Sequence, residues 1–396
     1  MTKAGAKIIK QAKSLQTELI AYRRYLHQNA EIGFDLPKTS AFVEKVLRDM
    51  GYAVAPCGKN ALTVSVGRGA CLLLRADMDG LPIREKMSLP YACTNGCMHA
   101  CGHDMHTVML LGAARLLKEQ EEHLHGKILF LFQPAEEILQ GARKVVDSGF
   151  LRQNKVQKAL SLHVMVGTEL DSGTLVMQTG IGAPSADYFT IEVQGKGCHG
   201  SSPWQGRDSI TAAARILLGL QEINARELSF NERAVLTVGN FQGGTAGNVI
   251  PNETVLQGTL RAYEEDTREK LKKRLHEIAK NTAKAFGCKA KVSFQGGCPA
   301  LVNDEEFTET VCSHLQAALG KERAMLVQNG QGGAAEDFAY IAREVPSVMM
   351  GIAAGKGSDG YVYPLHHPKV QFDENALWQG AVALAAVALS FNQAKL

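Results

Sequence analysis

Cys71-Leu-Leu-Leu-Arg-Ala-Asp77 is a short, nearly continuous apolar run that ends on an aspartate, and its reading decides the fold. Runs of this length and composition belong to strands buried on both faces, as in parallel sheets covered by helices. The pattern recurs around it. Residues 8–28 and 38–50 read as helices. Asp104 is placed to cap a helix through Val108, Leu111, Ala114 and Leu117, followed by the strand Ile128-Leu-Phe-Leu-Phe132, a helix near 139–148 and the strand Ala159-Leu-Ser-Leu162. Strands alternating with helices predict an α/β fold with a mostly parallel sheet.

Near residue 181 the pattern changes. Asp187-Tyr-Phe-Thr-Ile-Glu-Val-Gln194 alternates apolar and polar residues, the mark of a sheet with one buried face. Helix 208–224, strands 234–241 and 254–263, helix 267–286 and strand 289–295 complete a β-α-β-β-α-β order, a ferredoxin-like α+β unit at 181–296. In helix 267–286, Leu271, Leu275, Ile278, Thr282 and Phe286 form the stripe expected to pack on that sheet. Its exposed edge strand could pair with a second copy. After residue 297 the first pattern returns, with helices near 304–319 and 336–343, the strand Ser347-Val-Met-Met-Gly-Ile352 and a helix 375–392. The larger domain, 1–180 and 297–396, is therefore expected to be discontinuous.

Bulk properties agree with a two-domain globular protein: 396 residues exceed the size at which one core keeps growing, and 45% are hydrophobic against 21% charged. A net charge of +3 with interspersed signs argues against a nucleic-acid-binding stripe or a polybasic membrane patch. No segment reads as a signal peptide or membrane span, so cytoplasm is the expected compartment. Nine cysteines, an odd number in a long chain, fit reduced thiols better than a disulfide framework.

The unusual polar residues fall just past the C-terminal ends of the expected strands, where open α/β sheets build their sites. Asp77 and Asp79 follow one strand; Glu136 and Glu137 follow Phe132-Gln-Pro-Ala; His163 follows Leu160-Ser-Leu162; His366-His367 follow strand 347–352 and a Gly-rich loop. In Cys97-Met-His99-Ala-Cys101-Gly-His103-Asp104-Met-His106, Cys101 and His103 are two apart, so a turn can aim both at one ion. Thiolate, imidazole and carboxylate suit zinc and its neighbours. His99 and His106 read as supporting or surface residues. Adjacent glutamates at a strand end point apart, which suggests Glu137 as a ligand and Glu136 as a general base. Two other readings stand beside this one: a structural zinc site on Cys97 and Cys101, for which no second cysteine pair exists, and a thiol hydrolase using Cys101 with His163, which leaves the glutamates without a task.

These residues resemble the metal-dependent aminoacylase and amidohydrolase family that includes hippurate hydrolase, N-acetyldiaminopimelate deacetylase and the plant auxin-conjugate hydrolases. The likeness rests on Arg23-Arg-Tyr-Leu-His27, Arg75-Ala-Asp-Met-Asp79 with Leu81-Pro-Ile83, Met98-His-Ala-Cys-Gly-His-Asp104, Phe132-Gln-Pro-Ala-Glu-Glu137, Gly243-Gly-Thr-Ala-Gly-Asn-Val-Ile-Pro251, Glu336-Asp-Phe338 and Leu365-His-His-Pro368. It implies a two-metal centre with Cys101, His103, Glu137, His163 and His366 as ligands and Glu136 as base, His366 being preferred because the family's ligand lies two before the proline. It further implies that 181–296 is a lid and dimerisation domain, that His199 reaches substrate or the oxyanion, and that Asn248 and Arg261 contact the substrate's carboxylate side. The expected ions are zinc or manganese first, then cobalt or nickel; the expected substrate is an N-acyl amino acid. A dipeptidase or carboxypeptidase on the same centre and a non-catalytic metal-binding scaffold are the rival readings. The chain departs from the family pattern at Ala30, usually proline, at Gly80, usually alanine, and at Cys198, usually glycine, which bears on acyl-group preference and oxidation sensitivity.

Overall fold

Eight strands form the main sheet, in the order Ala55–Pro56, Leu62–Val66, Lys127–Gln133, Cys71–Asp77, Val156–Met165, Ser347–Ala353, Leu175–Gln178 and Ala324–Val327. The computed structural model describes residues 3–328 and 334–391. The four central strands run parallel, whereas Leu62–Val66 and Leu175–Gln178 join them antiparallel. Every residue of Cys71–Asp77 is buried, as the apolar run requires of a strand covered on both faces.

Helix His103–Lys118 lies in the core, with 14 of its 16 residues buried. Helix Ala376–Ser390 packs closely against it: a Cβ built on Gly112 would lie 2.7 Å from Ala381 Cβ, so small residues set how near the two backbones come. The expected helix 375–392 corresponds to this element, residue 392 lying outside the described residues. Residues 8–28 form two helices, Lys3–Ser14 and Gln16–Gln28, rather than one, with Leu15 between them. Asp104 is not the cap expected of it. Gly102, at φ +83°, precedes the helix, and Asp104 sits buried in its first turn, accepting from Arg23 and from its own neighbour Met105 N–H.

The chain divides into two compact units, one running to Gly182 and resuming from Val302 and again from Asp337, the other spanning Ala183–Leu301 with Ala334–Glu336. In the second, strands Ala234–Gly243, Glu253–Ala262, Ala186–Gln194 and Lys289–Cys298 form an antiparallel sheet in that order, packed with helices Ser209–Glu222 and Glu265–Ala285. Asp208 caps the first of these helices, its carboxylate accepting from Ile210 and Thr211 N–H. The buried stripe of Glu265–Ala285 runs through Leu271, Leu275, Ala279 and Ala283; Phe286 is exposed. No helix of the described residues is long and apolar enough to cross a membrane.

Candidate metal centre

The start of helix His103–Lys118, the turn after strand Lys127–Gln133, the end of strand Val156–Met165 and the loop beyond strand Ser347–Ala353 bring the candidate donors together. Between Cys101 and His103, Gly102 does two jobs: it takes the left-handed backbone that starts the helix, and a Cβ there would lie 2.4 Å from Val164 Cγ2. Past strand Lys127–Gln133, Ala135 is held at φ +63°, a costly conformation for a residue with a Cβ. It turns the chain so that Asp79 can receive it: the Asp79 carboxylate accepts from Glu136 N–H at 2.9 Å and from Glu137 N–H at 3.2 Å. His366 is also left-handed, at φ +64°, and its N–H donates to Ala100 O at 2.9 Å.

Hydrogen bonds assign the imidazole faces. His103 Nδ1 lies 2.8 Å from Asp79 O and His163 Nδ1 lies 2.8 Å from Val164 O, so both rings carry their proton there and turn Nε2 inward. His163 Nε2 is then 3.5 Å from Cys101 Sγ. His103 Nε2 is 3.9 Å from both Glu136 Oε2 and Glu137 Oε1, and His366 Nε2 is 3.5 Å from Glu137 Oε2. The overlapping groups Cys101–His103–His163, Cys101–Glu137–His366 and His103–Glu136–Glu137 each have their donor atoms within 4.8 Å of one another. All six residues expected from the sequence thus share one cluster.

Two atoms test whether metal fits. His103 Nε2 and Glu137 Oε1 are buried without a hydrogen-bond partner, in the middle of the cluster. Buried polar atoms nearly always have partners, and here a cation would satisfy both acceptors. Burial pushes the Glu137 carboxyl up to about 8, and the charges of Cys101 and Asp79 act in the same direction. Burial also opposes a thiolate at Cys101, but the neighbouring imidazoles, His163 first and then His103 and His366, hold that thiol well below its usual range. A soft anionic sulfur, imidazoles and a carboxylate that needs a positive neighbour make the donor set of a transition-metal site.

His106 is not a donor, although it falls with Asp77 and His103 in a group of suitable composition. Its Nε2 accepts Val164 N–H at 2.9 Å, and its Nδ1 bonds Asp77 Oδ1 at 2.6 Å. His99, open to a surface reading in the sequence, is buried with neither ring nitrogen partnered, and burial depresses it to about 3.

Behind the donors stands a layer of charge for which the sequence assigns no role. Arg75, buried in its apolar strand, bonds Asp77 at 2.7 Å, Asp337 at 2.7 Å and Gln133 at 3.0 Å. Arg23 and His27 both bond Asp104 Oδ2, at 2.8 and 2.9 Å. An arginine inside an apolar run is a readable sign that a buried partner exists. Which partner it has is not readable, since Asp337 lies 262 residues away.

In the second unit, His199 and Asn248 adjoin. His199 pairs with Val249, Gly200 N–H donates to Asn248 O, and the exposed His199 ring bonds Ser201 Oγ at 2.7 Å. Arg261 sits at the other end of strand Glu253–Ala262, its guanidinium 6.0 Å from the Tyr188 ring centroid. Eight residues of extended chain separate it from Glu253, roughly 26 Å, so within this unit the three candidate substrate contacts do not gather. Cys198 Sγ faces Ser202 O, and a Cβ on Gly206 would lie 2.6 Å from that sulfur.

Residues 73–390 match the family described as Peptidase family M20/M25/M40. The chain is 38% identical to N-acetyl-L-cysteine deacetylase of Bacillus subtilis over 92% of its own length and 86% of the relative's. It is 32% identical to thermostable carboxypeptidase 2 of Saccharolobus solfataricus, with 98% of both chains covered. A crystal structure of the Bacillus subtilis YXEP protein, described as a dinuclear metal binding peptidase from the M20 family, superposes with a TM-score of 0.79 at 31% identity, covering 95% of this chain and 98% of that one.

Proposed function

The chain belongs to peptidase family M20/M25/M40, and from that premise we propose that it hydrolyses the amide bond of N-acyl amino acids to a carboxylic acid and a free amino acid. One observation carries the reading: thiolate, imidazole and carboxylate donors converge at one rim, and two of their buried acceptor atoms have no other partner. Cys101, His103, Glu137, His163 and His366 would hold two divalent ions, zinc or manganese first, cobalt or nickel next. When bound, such a pair would polarise the scissile carbonyl and lower the pKa of a water from about 15.7 towards roughly 7.

The residues themselves move the proton. Glu136 takes it from the attacking water and passes it to the nitrogen as the C–N bond breaks, so the amine leaves neutral. Its backbone is anchored by Asp79, and its Oε2 faces His103. The free carboxylate of the substrate is assigned to polar residues of the 183–301 unit, with Asn248 and Arg261 as the candidates, and His199 is the candidate for reaching the substrate or its oxyanion. A guanidinium suits a carboxylate because it can bond it through two N–H groups. The proposal extends to that unit's service as lid and dimer contact, its strand Ala234–Gly243 being an edge of the sheet. It also includes a reducing, cytoplasmic setting: all nine cysteines are free, and Cys101 must stay reduced to act as a ligand.

A second reading has its own support in the carboxypeptidase relative. After loading with zinc or manganese, the enzyme should release amino acid from N-acetyl and N-aroyl amino acids and leave unblocked dipeptides nearly untouched. Preference for the unblocked dipeptides would establish the peptidase reading instead. Absence of product from both classes would leave a metal-binding scaffold.

A further inference from the structure

Two segments that stand out in the sequence, Arg75-Ala-Asp77 and Glu336-Asp-Phe338, have no part in the chemistry above, yet the structure joins them directly behind Glu136. We infer that Asp337 is a positioning residue for Glu136, locking the base's carboxylate through its own backbone N–H. The inference rests on the reading of Glu136 as the general base.

The geometry divides the work of Glu136 between its two oxygens. Oε1 accepts Asp337 N–H at 3.4 Å, and Oε2 lies 3.9 Å from His103 Nε2, on the side of the donors. A restraint on Oε1 fixes the torsion about the terminal bond of the side chain, so that Oε2 keeps facing the place where a proton must be taken up. Sub-ångström and small angular errors in such a group are costly in rate, because the proton is transferred only within hydrogen-bond reach.

A backbone N–H restrains only if it is itself fixed, and the Asp337 side chain does this. Its carboxylate accepts from Arg75 Nη2 at 2.7 Å, from Gln133 Nε2 at 2.9 and 3.0 Å, and from Ala142 N–H at 2.8 Å. These donors come from strand Cys71–Asp77, strand Lys127–Gln133 and helix Gly141–Asp147, which flank the turn carrying Glu136 and Glu137. Arg75 also holds Asp77, whose other oxygen bonds His106. The base and the buried residues behind the metal ligands are thereby referred to one fully buried guanidinium.

Stability alone is a poor explanation for this arrangement. Buried ion pairs replaced by apolar residues of like volume often leave a protein as stable or more so, whereas a fixed charge network specifies geometry.

The test is a double-mutant cycle on the metal-loaded enzyme, with metal content and thermal unfolding measured for each variant. Asp337→Asn should lower kcat about 10- to 100-fold with KM within about threefold and two metal equivalents retained, because binding is untouched and proton transfer is not. In a Glu136→Gln background the same change should cost less than about twofold, since nothing is left to position. Gln133→Ala, which spares the Arg75 pair, serves if Asp337→Asn does not fold. It should lower kcat about three- to tenfold alone and be silent in the Glu136→Gln background. Losses that multiply in the double variants, or that track loss of metal, would overturn the inference and make Asp337 a structural residue. Near-normal turnover by Glu136→Gln alone would instead sink the underlying assignment of the base.

Discussion

The two units bury very different things. In 183–301 the core is Phe189, Ile191, Val193, Ile216, Leu256, Leu260, Leu271 and Leu275 with small residues between them, and among the described residues Asp187 and Arg268 are its buried charges, bonded to each other. The larger unit packs an equally apolar core but also buries Arg23, His27, Arg75, Asp77, Asp79, His99, His103, Asp104, His106, Glu136 and Asp337. Desolvating an ionisable group is unfavourable unless partners compensate it, so an accumulation at the ends of parallel strands marks a place selected for chemistry rather than for stability. The core of the smaller unit shows what the same chain buries where packing alone is at stake.

Substitutions should separate the two kinds of burial. The largest effect is expected at Glu136→Gln: turnover falls by about 10² to 10⁴ while two metal equivalents remain by elemental analysis. A fall below about tenfold would remove the base from the mechanism. Next comes His106→Ala, which deletes the bond to Asp77 and the acceptor for Val164 N–H. Metal affinity, followed by competition with a chelator, should weaken about 10- to 100-fold, and unchanged affinity would show that the layer behind the donors does not tune them.

In the other unit, Leu275→Ala removes a fully buried side chain and should cost about 2–5 kcal/mol on denaturant unfolding, with metal content unchanged. Loss of metal in that variant would contradict the separation of roles. Smallest is Lys45→Ala. Its partner Asp49 is 64% exposed and the lysine 74%, so stability should move by less than about 0.5 kcal/mol.

The same contrast explains what can be read from the sequence. The donor cluster is legible because Glu136, Glu137 and His163 come directly after apolar runs, and Cys101-Gly-His103 is compact enough to be a turn. Helix Glu265–Ala285 is legible as an element, yet its inner face is misread in part: Ala279 and Ala283 are buried, while Phe286 follows the helix's last residue and lies exposed. Leu15 carries no helix-breaking chemistry, so the break between Ser14 and Gln16 gives no local signal. Strands Leu175–Gln178 and Ala324–Val327 are four residues each and gain their identity from pairing, with one another and, for the first, with Ser347–Ala353.

Least legible is the charge behind the site. Arg75 in an apolar run announces a partner, but Asp337 becomes that partner through a fold in which strand order departs from chain order, and no local periodicity encodes that.

Anomalous diffraction from crystals of the metal-loaded enzyme, recorded at the absorption edge of the ion, addresses the core of this account. Two peaks should lie within bonding distance of Cys101, His103, Glu137, His163 and His366, with Glu136 beside them and bound to neither. Peaks placed elsewhere, or none within reach of the Cys101 sulfur, would contradict it.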